Sequence, residues 1–237
     1  HNSFYDRITA FSQELPKGSI FSSYEDLPSN TDIFLSLGGD GTFLESVTIV
    51  RQRNIPIAGI NFGRLGFLTT ACVEGDNPWI EKLITGDYAI EDRLLLHLSK
   101  DGTPEGFYPY AMNEITIQRM APSMLEIDIS VDGQKLPKYW SDGILIATAT
   151  GSTAYSLSIG GPVVTPDASV LIIAPISPHN LNVRPLIVPH TSVVEVSFNG
   201  RCSQALLTVD NRSFDLMAGE KVVINKGEFP IRTVSIN

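Results

Sequence analysis

The sequence predicts a chain in two parts: a parallel α/β domain first, then a larger, β-sandwich-like domain. Three observations carry this. Up to Thr85, short apolar runs alternate with helical patterns, and a strand–helix–strand–helix order implies a parallel sheet. After about Tyr88, strand-like runs follow one another with turn residues between them and no long helical periodicity. Gly38, Gly39, Asp40 and Gly41 stand where the first apolar run gives way to a helical pattern.

Residues 4–14 put Phe4, Ile8 and Phe11 on one face, continued by Leu15, which predicts a helix. Residues 32–37 read as a short apolar strand, 42–53 as a helix starting after the glycines, and 55–60 (IPIAGI) as a second strand. Asn77-Pro78 supplies an N-cap and a proline at the first helical position, so residues 78–85 are predicted helical. The β part opens with EDRLLLHLS, NEITIQR and MLEIDISVDGQKL, the last turning at Asp132-Gly133, a two-residue hairpin signal. GILIATA, SVLIIAP, PLIVP, SVVEVSF, ALLTV, KVVIN and IRTVSI follow. These patterns give a Rossmann-like α/β domain over residues 1–87 and a mostly β domain over 88–237, with a return of the last residues to the first domain left open.

With 237 residues, 43% of them hydrophobic and 18% charged, the chain has ample apolar material for a core. It contains no run of eighteen apolar residues, so no membrane partner is expected. No secretory pattern opens the sequence, which begins at His1 rather than Met, and a partial chain is expected. Two cysteines, Cys72 and Cys202, are too few for a disulfide framework and point to a reduced, cytoplasmic setting. The net charge of −9 comes without a Lys/Arg stripe, so nucleic-acid binding lacks its usual electrostatic drive. An anionic ligand would have to be held by backbone N–H groups, a metal or a few placed cations.

The glycine run suits that last requirement. Gly38, Gly39 and Gly41 remove Cβ atoms at the carboxyl end of a strand, where a phosphate can approach the backbone and the positive end of the next helix. Asp40 is out of place beside a phosphate unless it does chemistry, as a proton acceptor or a Mg²⁺ ligand. The plain alternative is an Asp-Gly turn.

GGDGT resembles the motif shared by NAD kinases, diacylglycerol and sphingosine lipid kinases and 6-phosphofructokinases, and by itself does not choose among them. Four further blocks do. GINFGRLGFLT (59–69), NEITI (113–117), SDGILIATATGSTAYSLSIGGP (141–162) and APISPHNLNVRPLIVP (174–189) are similar, in order and spacing, to blocks of bacterial-type NAD kinases. The G-T-G-N-D signature of lipid kinases is absent. The resemblance runs from about Asp32 to about Asp210.

The resemblance implies transfer of the ATP γ-phosphoryl to the 2′-hydroxyl of the adenosine ribose of NAD, with Mg²⁺ held mainly through ATP phosphates. It implies a phosphate loop of Gly38, Gly39, Gly41 and Thr42, with Asp40 as the base. Its NAD site takes in Asp40, Gly41, Phe67 against the adenine, Asn113 and Glu114 on ribose and adenine groups, and Asp142 on the nicotinamide side. Thr153, Ala154, Tyr155, Ser156, Leu157 and Ser158 line the pocket, Ala174 (with Ile176) forms its floor, and Arg212 stands as a cation at a usual glutamine position. NAD is expected between the two domains. Small-molecule nucleotides and further copies of the chain, as homodimer or homotetramer, are the expected partners. A lipid or other alcohol kinase, or a non-catalytic NAD(P) sensor, are the alternatives. Polyphosphate as donor and NADH as acceptor stay open.

Some residues depart from the pattern. Ala149 replaces a usual Pro, Trp140 a usual Arg or Lys, and Glu45 a position often basic or polar. His179 reads as structural, and Arg184 either steadies the site or pairs with an acid.

Overall fold

The computed structural model describes residues 23–61, 66–69, 71–72, 79–180 and 182–236; the helix expected over residues 4–14 lies outside them. β1 (Phe34–Leu37) runs into α1 (Asp40–Val50) and a 3₁₀ turn (Arg51–Arg53). β2 (Ile57–Asn61), the two-residue β3 (Ala71–Cys72), α2 (Trp79–Thr85) and β4 (Ala89–Arg93) follow. Then come β5 (Leu96–Ser99), β6 (Tyr110–Ala111), β7 (Glu114–Arg119), β8 (Leu125–Val131), β9 (Gln134–Lys135), β10 (Tyr139–Ser141) and β11 (Gly143–Thr148). A 3₁₀ turn (Thr150–Thr153) and the one-turn helix α3 (Tyr155–Ser158) precede β12 (Val170–Ile176) and β13 (Leu186–Pro189). The chain ends with β14 (Val194–Asn199), β15 (Gln204–Val209), β16 (Arg212–Met217), β17 (Lys221–Lys226) and β18 (Ile231–Ser235). Two compact units result, one up to Ile90 with Thr233 onward, the other Glu91–Arg232.

In the first unit the sheet order is β1-β2-β18-β4, with β3 also on β2. β1, β3 and β18 each run parallel to β2. β2 is buried at all five positions, which is why IAGIN reads as a continuous rather than alternating apolar run. α1 lays Phe43 and Val47 into the core, 1% and 0% exposed. A Cβ at Gly59 would stand 2.9 Å from the Phe43 ring and 3.0 Å from the Leu68 carbonyl, so this glycine sets how closely β2 packs. The helix starts at Asp40, two residues before the pattern predicts. Gly39 is its N-cap, and its carbonyl accepts the Phe43 N–H at 3.1 Å.

The second unit is two antiparallel sheets packed face to face. One has the order β10-β8-β14-β17-β5-β6 with β9 on β8; the other runs β13-β12-β11-β7-β15-β16. Ile115, Ile117, Ile144 and Ile146 from the second sheet meet Leu98, Ile127, Val196 and Ile224 from the first in one core. The alternate residues of β11 and β12, Leu145, Ala147, Ile172 and Ala174, form a separate cluster covered by Tyr155, Ile159 and Val164. β11 is therefore buried on both faces. Its neighbour β7 comes so close that a Cβ on Gly143 would lie 2.4 Å from the Ile117 carbonyl oxygen. The Asp132-Gly133 turn has φ of 51° and 79°, the positive pair a tight hairpin needs. The pattern did not mark β10 and β16. β10 has three residues and β16 alternates exposure, and both are sheet edges with weak apolar signals.

Among the described residues no helix is long and apolar enough to cross a membrane. Ile146 is fully buried between the sheets, so Ile146→Ala should cost about 2–5 kcal/mol of stability. The check is the midpoint of thermal or urea unfolding, which should fall clearly below the wild type's.

Candidate active site

In the first unit the site begins with β1 and its glycines. Gly38 sits at φ 156°, and a Cβ there would lie 2.4 Å from the Thr42 hydroxyl, so the turn admits only glycine. Cβ atoms at Gly39 and Gly41 would point into open space. The amides of the first turn of α1 have no intrahelical acceptor, and no side chain caps them.

The Asp40 carboxylate accepts two hydrogen bonds, from the Phe67 and Leu68 N–H groups, both at 3.1 Å. The approach is possible because Gly66 has no side chain: a Cβ there would fall 2.1 Å from Asp40 Oδ1. The GGDG and LGFL strings, far apart in sequence, thus meet at one carboxylate. Phe67 is 72% exposed, so its ring is not part of the core. Its backbone holds Asp40 and leaves the aromatic face outside.

In the second unit the centre is the turn before β7. Asn113 is buried at 7% exposure. Its carbonyl accepts the Thr148 N–H at 2.9 Å. The Thr148 hydroxyl donates to the Met112 carbonyl at 2.6 Å and accepts the Gly151 N–H at 3.0 Å. A Cβ on Gly151 would stand 2.2 Å from the Asn113 oxygen, so the TGST turn lies directly on the Asn113 backbone. That turn is tied down again by Ser152, whose hydroxyl donates to the Val164 carbonyl and accepts its N–H, at 3.0 and 3.1 Å. Gly161 closes it: its N–H reaches the Ser156 carbonyl at 2.8 Å, and a Cβ would collide with the Ser156 hydroxyl at 2.2 Å.

Thr153, Ala154 and Tyr155 are half-buried, Ser156 is buried, and Leu157 and Ser158 are exposed. The Tyr155 N–H bonds the Glu114 carboxylate. One Glu114 oxygen and the Ser156 hydroxyl are buried without a hydrogen-bond partner among the described residues. Burial pushes the Glu114 carboxyl up to about 8; the nearby Asp210 adds to this and the Tyr155 amide opposes it. Burial also raises Asp210, against hydrogen bonds from Met112, Asn113 and Glu114 and the charge of Arg212.

One predicted residue falls elsewhere, and another is covered. Asp142 lies at the opposite end of β11 from Thr148, about 20 Å away at a strand's rise per residue. Arg119 holds its carboxylate with two bonds, at 2.6 and 3.3 Å. The two line an open groove of about 600 Å³ with Glu126, Trp140, His179 and Arg201. Ala174 has no exposed surface; it supports Tyr155 from the core rather than forming an open floor. Arg212 donates to the Tyr110 carbonyl at 2.6 Å, stacks over the Tyr108 ring at 5.4 Å and lies 4.0 Å from Asp210. His179 donates its backbone N–H to the Trp140 carbonyl. Two organisers were missed, Thr148 and Asp210. Thr148 looks like an ordinary strand residue, and Asp210 like a turn acid two residues before Arg212, the residue to which the resemblance points.

Comparison with known proteins bears on this geometry. The ATP-NAD kinase N-terminal domain model matches residues 23–88, and the ATP-NAD kinase C-terminal domain model residues 112–236. An NAD kinase of Cytophaga hutchinsonii is 41% identical over 238 residues, covering 100% of this chain and 81% of that protein. One from Flavobacterium psychrophilum is 42% identical over 219 residues, covering 91% and 74%. Among solved structures, yeast NADH kinase complexed with NADH superposes with a TM-score of 0.80 at 30% identity, covering 91% of this chain and 66% of the other. An Archaeoglobus fulgidus NAD kinase in complex with ATP gives 0.77 at 30%, covering 100% and 89%. The chain belongs to the ATP-NAD kinase family.

Glu114 supplies a pH test. Its folded-state pKa is raised, so its contribution to stability is complete below the ordinary carboxyl pKa and is lost as pH rises through about 8. Glu114→Gln removes the ionisation. Between about pH 5 and about 8, urea midpoints should move steadily in favour of the variant and then level off. A constant gap across that range contradicts the buried environment.

Proposed function

We propose that this chain transfers the γ-phosphoryl group of ATP to the 2′-hydroxyl of the adenosine ribose of NAD, giving NADP. The reaction is that of the family to which the chain belongs. The observation that carries the assignment of residues is the fixed Asn113–Glu114 turn beneath the Gly151–Ser158 segment. It offers an amide, a buried carboxyl and a buried hydroxyl, the last two each with an unpartnered atom.

Asn113, Glu114 and the segment of Thr153, Ala154, Tyr155, Ser156, Leu157 and Ser158 hold NAD in this reading, with the half-buried Tyr155 ring offering a flat face for a base. Gly38, Gly39, Gly41 and Thr42 hold phosphate, supported by the open space at two of these glycines and by the first-turn amides of α1. The exposed Phe67 ring packs on the adenine. Asp40 takes the proton from the 2′-hydroxyl, and the Phe67 and Leu68 amides fix its orientation. Arg212 acts through the Tyr108–Tyr110 segment and Asp210 rather than directly on phosphate. Asp142 and the Trp140 groove take no part in the chemical step.

Phosphoryl transfer is governed by positioning and charge neutralisation. Among the described residues no group of three or more His, Cys, Asp or Glu is placed to hold a metal ion. Magnesium keeps several waters and is bound through one or two carboxylates plus substrate phosphates, so it is read as entering with ATP and neutralising its phosphates. A cytoplasmic setting and assembly as a homodimer or homotetramer belong to the same reading, supported by family resemblance and by the two-cysteine composition.

Asp40→Asn should lower the rate of NADP formation from NAD, ATP and Mg²⁺ by about 10²–10⁴-fold, with a smaller loss of NAD affinity because an amide NH₂ would face one of the Phe67 and Leu68 N–H groups. Gly66→Ala should act the same way, by pushing the carboxylate from its amides. Wild-type turnover in Asp40→Asn would remove the base role, and phosphorylation of a diacylglycerol in preference to NAD would return the alcohol-kinase reading. NAD binding by the wild type without NADP formation would favour a sensor.

A further inference from the structure

The proposed chemistry gives the buried Asp210 no direct part. The Asp210 side chain has no exposed surface, yet its carboxylate accepts N–H bonds from three successive residues: Met112 at 2.8 Å, Asn113 at 2.9 Å and Glu114 at 3.2 Å. We infer that Asp210 is a positioning residue for the dinucleotide: its carboxylate gathers these amides and so sets where Asn113 and Glu114 stand. The inference rests on the reading of Asn113 and Glu114 as NAD contacts.

The geometry is reciprocal. The Asp210 N–H returns to the Glu114 carbonyl at 3.0 Å. The β15–β16 hairpin, whose last paired residues are Val209 and Arg212, is thereby locked onto the start of β7. Asp210 adopts φ 52°, a left-handed conformation that Asp tolerates better than most residues. Met112 and Asn113 lie between β6 and β7, outside any strand, so this carboxylate supplies the acceptor a ladder would otherwise give.

A carboxylate is the side chain whose two acceptors fit this turn. It accepts on both oxygens, and both are used: Oδ2 by Met112, Oδ1 by Asn113 and Glu114. An asparagine would bring an NH₂ against at least one of these N–H groups. Burial disfavours the anion and raises this carboxyl; the three amides and Arg212 at 4.0 Å oppose that rise. The other acid facing it is Glu114, which its charge disfavours as an anion. Asp210 thus influences both the place and the proton of the residue presented to the ligand.

The test uses the whole chain. In the wild type, hydrogen exchange should show the Met112 and Asn113 amides strongly protected; exchange at the rate of exposed amides overturns the inference even if no variant folds. Asp210→Asn should raise KM for NAD at least about tenfold, the scale of losing charge-assisted hydrogen bonds. KM for ATP should stay near wild type. The ionisation seen in the pH profile of KM for NAD should also move to lower pH, because the charge facing Glu114 is gone. Asn113→Ala combined with Asp210→Asn should lose less than the sum of the two. Equal rises in both KM values with an unmoved pH profile and additive losses would mean a merely structural role and overturn the inference. If Asn113→Ala alone leaves KM for NAD unchanged while the amides stay protected, the reading of Asn113 as a contact fails, and the dinucleotide role of Asp210 with it.

Discussion

The second unit depends on one close approach: the Gly151 backbone lies on the Asn113 backbone with no space for a methyl group between them. Everything polar in the proposed NAD site is placed from that contact. Thr148 satisfies both segments with one hydroxyl, bonding the Met112 carbonyl and the Gly151 amide. The segment then runs through Ser152, pinned to Val164, into Tyr155, whose amide meets Glu114. The small side chains of TGSTAYS are therefore a packing requirement as much as a binding surface. A larger residue at Gly151 would lift the hydroxyl-bearing turn away from the amide and acid beneath it.

The first unit uses the same device. Gly66 lets Asp40 reach two amides, as Gly151 lets the turn reach Asn113. In both cases glycine leaves room beside a carboxylate or a carbonyl. Rigid elements deliver these glycine contacts: α1 is anchored by Phe43 and Val47, and β11 is enclosed on both faces. Apolar burial supplies the rigidity, and the functional groups stand at the ends of buried strands where backbone groups are free to turn.

Much of this was legible in the sequence, for physical reasons. GILIAT reads as a strand because both of its faces are apolar, and IAGIN for the same reason. Asp132-Gly133 reads as a hairpin because few residues take two positive φ values. The glycine loop was legible as a turn at a strand end. The pattern starts α1 two residues late because glycine and aspartate are poor helix formers, yet Asp40 is tolerated in a first turn, where its charge meets the positive helix end. Asp210 escaped because its partners lie almost a hundred residues earlier, and a lone acid in a polar hairpin carries no periodic signal. Resemblance alone points Asp142 toward NAD; its pairing with Arg119 at the other end of β11 is a tertiary feature that no local pattern contains.

The claim at the centre is that NAD is recognised at the Asn113–Glu114 end of β11. A crystal structure of the chain with NAD bound measures this directly. The account predicts polar atoms of the dinucleotide at hydrogen-bond distance, about 2.7–3.2 Å, from the Asn113 and Glu114 side chains, with Gly151 still seated on Asn113. Density for NAD confined to the Arg119–Asp142 groove, leaving that turn bare, would contradict it.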